Sequence, residues 1–261
     1  IPVLAISIFH VMDKTMLDWL STETQVGYYY SADKVINIPL MAITAVSTVM
    51  MPRIANLYAT GTTDDVKKTV NRSIEITVFL SCSVGIGIAS IARQFVPFFF
   101  GPGYDPCVTL VYWFTPILFV KTLGDFIRMQ YLIPTHHDRV YIYAVCAGAM
   151  INIILNTMLI LGYGAMGAVW ATLIAEIVVT AFEMISLRKE IKFLRLTVSN
   201  IVYFVFAIIM FVAVRLVDRA LHCSVVLELI SMIIVGGLVY LGLCFVYWHF
   251  NKKSVFHNII S

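Results

Sequence analysis

The chain has 261 residues, 60% hydrophobic and 13% charged, where a soluble domain is roughly half apolar and about 25% charged. A mean hydropathy of +0.90 excludes an ordinary water-soluble globule, because the remaining polar residues are too few to cover its surface. The net charge of +3 is too small to point to nucleic acid as a partner.

At roughly 20 apolar residues per span, this length holds about eight membrane-spanning helices and no separate soluble domain. The apolar runs fall at 1–20, 34–54, 74–98, 108–133, 141–161, 165–187, 198–217 and 225–248. The fold class is therefore all-α and polytopic. The first run opens without an initiator Met, basic leader or cleavage site, and we read the chain as a fragment whose N-terminal portion is missing. This run carries Asp13, Lys14 and Asp18, with Lys14 and Asp18 four apart on one helix face. Residues 21–33 read as a polar connection, with Tyr28, Tyr29 and Tyr30 as a headgroup-level belt.

The second run begins at Lys34 and is interrupted by Pro39. In the longest connection, 56–73, Thr63 is placed to cap a helix before Asp64 and Asp65, with Val66 and Val70 at helical spacing behind it. This segment is either a short amphipathic helix along the membrane surface or a solvated linker. The third run contains Gly85-Ile86-Gly87, which lacks the third glycine of a dinucleotide fingerprint and reads as packing. It ends at Pro97 and an aromatic tip, Phe98 to Phe100, before the breakers Gly101-Pro102-Gly103 and Asp105-Pro106.

In the fourth run Lys121, Asp125 and Arg128 follow i, i+4, i+7 spacing and stack on one face, beside Gly124 and beyond Pro116. A charge near the bilayer centre costs about 2.5–3.5 kcal/mol on insertion scales. The stripe is therefore either an internal salt-bridge ladder or the wall of an aqueous cavity. On the second reading Lys14, Lys121 and Arg128 are candidate ligands for an anion, and Asp13, Lys34 and Asp125 line the cavity or pair with its charges. His136-His137 has no further ligand at metal spacing. Asn152 and Asn156, four apart in the fifth run, are interhelical glue or ligands. After the turn Gly162-Tyr163-Gly164, the small residues Gly167, Ala168 and Ala171 let two helices approach closely. Glu176, midway along the sixth run, is a candidate for proton coupling, with Glu183 two turns later as the weaker one. The competing reading is that Glu176 hydrogen-bonds a neighbouring helix through Asn152 or Asn156. The last two runs carry no distinctive motif, and Tyr247-Trp248 suits an aromatic belt.

Lys and Arg collect in alternate connections. Arg53, Lys67, Lys68, Arg72, Arg139, Arg188, Lys189, Lys192, Arg195, Lys252 and Lys253 lie on one side, against Lys34, Arg93, Arg215 and Arg219 on the other. Retention of positive residues in the cytoplasm puts the first set and the C-terminus inside. Cys82, Cys107, Cys146, Cys223 and Cys244 are scattered without a CxxC pair and read as packing residues. No P-loop and no nucleophile with a nearby base can be assembled. A non-enzymatic protein without cofactor or metal is the expectation.

The stretches Met12-Asp13-Lys14-Thr15-Met16, Val26-Gly27-Tyr28-Tyr29, Asp33-Lys34-Val35, Ile38-Pro39-Leu40 and Met51-Pro52-Arg53-Ile54-Ala55 resemble the second half of a Wzx-type polysaccharide repeat-unit flippase, in the multidrug/oligosaccharidyl-lipid/polysaccharide exporter superfamily. Phe95 to Gly101, Gln130 to Thr135 and Tyr163 to Thr172 support the resemblance, which runs to about Glu190. It implies the C-terminal lobe of a two-lobed transporter, with residues 1–190 as a six-helix lobe and 191–261 as two additional helices and a short cytoplasmic tail. The implied substrate is an undecaprenyl-diphosphate-linked glycan repeat unit, moved from the inner to the outer leaflet of a bacterial cytoplasmic membrane for capsule, exopolysaccharide or O-antigen synthesis. The implied partners are that lipid-linked glycan, membrane lipids, and the polymerase and glycosyltransferases of the same pathway. In related lipid flippases the extra helices form a groove for the polyprenyl tail. A multidrug or other lipid exporter of the same superfamily is the alternative. A polytopic polymerase or glycosyltransferase would need a large catalytic loop, and no connection here is long enough.

Overall fold

The computed structural model describes residues 2–61, 63–221, 224–251 and 254, without the side chains of 2–10, 63, 64 and 67. The Thr63 cap, the side chains of Asp64 and Lys67, and Cys223, Lys252 and Lys253 therefore lie outside the described residues.

In hydrocarbon every backbone polar group must be satisfied within the chain, and the described residues accordingly form helices and short turns. They are α1 (Pro2–Leu20), α2 (Glu23–Thr60), α3 (Thr63–Phe100), α4 (Asp105–Ile127) continued by a π turn (Arg128–Leu132), α5 (Asp138–Ser186), α6 (Phe193–Ser199), α7 (Val202–Ala220) and α8 (Val225–Phe250). Five of these, counting α4 with its π turn as one, are long and apolar enough to cross a membrane, and α6 with α7, bent by 43°, makes a sixth. At 1.5 Å per residue, the 49 residues of α5 would extend about 73 Å, more than twice a hydrocarbon core of about 30 Å. The backbone reverses at Gly164 (φ 54°, ψ −131°), so α5 is two antiparallel arms, 138–163 and 165–186. With α1, whose Asp13, Lys14 and Asp18 dilute its apolar run, the segments number about eight, as the hydropathy implies.

Two glycines build the α5 hairpin. Gly164 adopts a left-handed conformation that disfavours any Cβ, and a Cβ on Gly167 would lie 2.3 Å from the carbonyl oxygen of Leu159. The Gln25 side chain of α2 reaches over this turn and accepts a hydrogen bond from the Ala165 backbone N–H (3.1 Å). Ala165, Ala168 and Ala171 are fully buried, so the small residues do let the helices approach.

Three sequence expectations are corrected. The polar stretch 21–33 is not a loop: only Ser21 and Thr22 connect α1 to α2, so Asp33 and Lys34 sit inside a 38-residue helix. Residues 56–73 form neither a separate surface helix nor a linker. The chain runs helically through Thr60 and again from Thr63 as one end of a hairpin, because Val66, Val70 and Ile74 bury against Leu57, Leu187, Ile191 and Phe193. Tyr29 and Trp248 are not belt residues. Both are buried, Tyr29 among α1, α2 and α4, and Trp248 donating to the Tyr203 hydroxyl at 2.9 Å.

The described connections alternate between two ends of the bundle. Arg53, Lys68, Arg72, Arg139, Arg188, Lys189, Lys192 and Arg195 belong to one, the basic end. The opposite end holds the aromatic stack Phe95, Phe99, Phe100, Tyr104 and Tyr28. α7 and α8 pack on α3, tied there by Glu75, which accepts from Tyr203 (2.6 Å) and Ser254 (2.6 Å).

Candidate functional site

The polar interior lies where α1, α2, α4 and the second arm of α5 meet. A cavity of about 220 Å³ opens there, lined by Asp13, Lys14, Tyr29, Asp33, Asn37, Lys121, Thr172 and Glu176 among others. That volume has room for several waters at about 30 Å³ each.

Asp13 is 6% exposed and fully answered. Its Oδ1 accepts from the amides of Asn152 (2.7 Å) and Asn156 (2.8 Å) on the first arm of α5. Its Oδ2 accepts from the hydroxyls of Thr172 (2.7 Å) on the second arm and Tyr29 (3.3 Å) on α2. Four donors fill the acceptor capacity of a carboxylate. The asparagine pair thus ties α5 to α1, and neither amide bonds Glu176. The sequence offered the asparagine spacing but not its partner, 139 residues away.

Lys14, the neighbour of Asp13, points along α2. Its ammonium pairs with Asp33 at 2.8 Å and lies 4.9 Å over the Tyr30 ring. Asn37, one turn beyond Asp33, donates to its other oxygen at 2.5 Å. Asp33 is a site residue that hydropathy assigned to a loop. Lys121 also lines the cavity, and makes no ion pair among the described residues.

Arg128 differs from the sequence expectation, because it lines neither this cavity nor the groove described below. It is buried, with one nitrogen on Asp125 (2.7 Å) and another on Glu183 (3.1 Å). Of the stripe Lys121, Asp125, Arg128, the upper member faces the cavity and the lower two pair with each other. Gly124 makes room for this, since a Cβ there would lie 2.9 Å from Thr180 Oγ1 and 3.0 Å from the Arg128 guanidinium. The π turn that starts at Arg128 closes with Ile133 N–H on the Arg128 carbonyl and turns Arg128, Gln130, Tyr131 and Leu132 all inward, which regular helix would spread around its circumference. Glu176 is 2% exposed, and its Oε2 has no hydrogen-bond partner among the described residues.

A second, apolar groove of about 720 Å³ runs between α2 and α3 on one side and α7 and α8 on the other. Its walls include Val35, Ile38, Ile88, Phe95, Val214 and Ile233, and Gly236 and Gly237 thin the wall of α8. Lys34, expected in the charged cavity, lines this groove instead, because one residue after Asp33 the helix has turned to its other side. The 33–40 segment of α2 therefore separates the polar cavity from the apolar groove.

Residues 3–109 match the profile of a family described as "Polysaccharide biosynthesis protein". The whole chain superposes on the lipid II flippase MurJ in its inward closed conformation with a TM-score of 0.75 and 18% identity, covering 100% of this chain and 53% of that one. The chain thus spans about half the length of that flippase and has its fold over this half. By sequence, no curated protein matches the chain. The matched segment carries Met12 to Met16 and Met51 to Ala55, two of the stretches quoted above for the resemblance.

Proposed function

We propose that this chain is the C-terminal lobe of a non-enzymatic transporter that carries undecaprenyl-diphosphate-linked glycan repeat units from the inner to the outer leaflet of a bacterial cytoplasmic membrane. The observation that carries the reading is the division made by α2, with a polar cavity that presents Lys14 and Lys121 on one side of its 33–40 segment and an apolar groove on the other. A lipid diphosphate has both needs at once. Its charge must be answered inside the membrane, and its polyprenyl tail must stay in an apolar path. Lys121, which makes no ion pair among the described residues, would answer the diphosphate, joined by Lys14 on its release from Asp33, with Asp13 holding the cavity in shape. Asp125 acts as a charge partner, and Lys34 meets the lipid at the groove. Arg128, already committed to two carboxylates, is moved from the anion ligands to the coupling machinery, along with Glu176. The basic end of the bundle is the cytoplasmic one on this reading. The partners are then the glycosyltransferases that complete the repeat unit and the polymerase that consumes it.

A charge-assisted contact is worth about 1.5–3 kcal/mol, and each 1.4 kcal/mol is tenfold. Lys121→Ala in the full-length protein is therefore expected to slow transfer of a lipid-linked glycan in proteoliposomes by about 10–100-fold at equal protein amounts. A Cβ at Gly237 meets no atom within 4 Å, so Gly237→Leu fills the groove without displacing its walls and should slow the same transfer. Parental rates in both variants would overturn the reading.

A further inference from the structure

The carboxylates around the polar cavity outnumber the cations. Asp13, Asp33, Asp125, Glu176 and Glu183 stand against Lys14, Lys121 and Arg128. The four donors of Asp13 answer its charge, and Lys14 with Asn37 answers Asp33. The shortfall falls on Asp125, Glu176 and Glu183: Arg128 pairs with Asp125 and Glu183, and no ion pair reaches Glu176 among the described residues. Glu176 is buried with an orphaned Oε2 and lines the cavity. Glu183 is 0% exposed, and its Oε2 is likewise orphaned while Oε1 holds Arg128. A buried carboxylate without a partner is too costly to stay ionised.

The Arg128 guanidinium lies against the site where Gly124 lacks a side chain, and Thr180 Oγ1 lies there too. Thr180 is four residues after Glu176 and three before Glu183 on the same arm, so the guanidinium sits level with the turn between the two glutamates. Asp125 tethers it by one nitrogen and leaves the other free to serve one glutamate at a time. The charged groups around Glu176 are Arg128, Lys121, Asp125, Asp13 and Glu183. Those around Glu183 are Arg128, Glu176 and Asp125, with the Tyr141 phenol from the first arm of α5.

We propose that Glu183 is a second proton-binding carboxylate in series with Glu176, and that Arg128, tethered by Asp125, moves between them and neutralises whichever is ionised. The pair then shares one proton. In the arrangement seen here Arg128 holds Glu183 and the proton resides on Glu176, within reach of cavity water. A proton arriving on Glu183 frees Arg128 to swing one turn to Glu176, whose own proton leaves to the cavity. The charge in the membrane is the same before and after, so the exchange is between two equally buried states. This deepens the proton-coupling reading of Glu176 and rests on the transporter proposal for its use, but not for its chemistry.

The test is infrared titration of the protonated-carboxyl band in the purified full-length protein at neutral pH. The band lost in Glu176→Gln identifies the proton. Glu183→Gln is expected to remove the same band, because Arg128 then transfers to Glu176 and expels its proton, while Arg128→Gln roughly doubles it. Glu183→Asp, which can still ionise, restores the parental band and separates this effect from misfolding. A band that survives Glu183→Gln unchanged, or its absence from the parent protein, would overturn the proposal. Behaviour as expected without glycan transfer in proteoliposomes would instead sink the transporter reading and leave the shared proton standing.

Discussion

Two carboxylates that line one cavity illustrate opposite ways of burying charge. Asp13 is surrounded by Asn152, Asn156, Thr172 and Tyr29, each donating and none carrying charge. Glu176 lines the same cavity with an oxygen that nothing answers. Neutral donors fix a carboxylate in one state and lock the helices that supply them, here α1, α2 and both arms of α5. An unanswered carboxylate stays protonated until a cation reaches it, and it locks nothing. The first region is a joint, and under the proposal above the second is where a proton comes and goes.

The comparison is most easily broken at Asp13. Asp13→Ala takes the carboxylate acceptor from the buried donors Asn152, Asn156 and Tyr29, while Thr172 keeps the Ala168 carbonyl, and removing one partner of a buried charged network costs about 3–5 kcal/mol. At about 2–4 °C per kcal/mol for a chain of this size, the apparent Tm of the detergent-solubilised protein should fall by about 10 °C. A loss of only a degree or two would show that the cluster is not the joint. Gly124→Ala should have an intermediate effect. Its Cβ would come within about 3 Å of Thr180 and the Arg128 guanidinium, so the guanidinium has to shift by a few tenths of an ångström, which weakens its contact with Glu183, a charged hydrogen bond worth about 1.5–3 kcal/mol when intact. A Tm equal to the parent's, with the Arg128 to Glu183 contact intact in a structure of the variant, would contradict that. Glu176→Gln should be the mildest, changing stability by less than about 1 kcal/mol because no bond is lost. A destabilisation as large as that of Asp13→Ala would erase the distinction between the two regions.

Much of this site was visible as isolated residues. Asp13, Lys14, Lys121 and Glu176 stood out because charge in an apolar run is expensive, and all four line one cavity. Pairings were not visible. Asn152 and Asn156 showed a helical spacing but no address, Asp33 was hidden by a polar stretch read as a loop, and the Arg128 to Glu183 contact spans 55 residues. Lys34 and Asp33, adjacent in sequence, serve opposite faces of α2, a separation that depends on α2 beginning at Glu23.

The sequence by itself determined the solvent, the helical class, the approximate number of segments, and the hairpin at Gly164. Each follows from local properties: run length against bilayer thickness, the need to satisfy backbone groups within a segment, and the conformational freedom of one glycine. Tertiary structure alone decided which buried charges are answered and which are left over. That depends on helix rotation and register. A helix turns 100° per residue, so a boundary moved by two or three residues carries a side chain from cavity to groove, and hydropathy does not fix boundaries that finely.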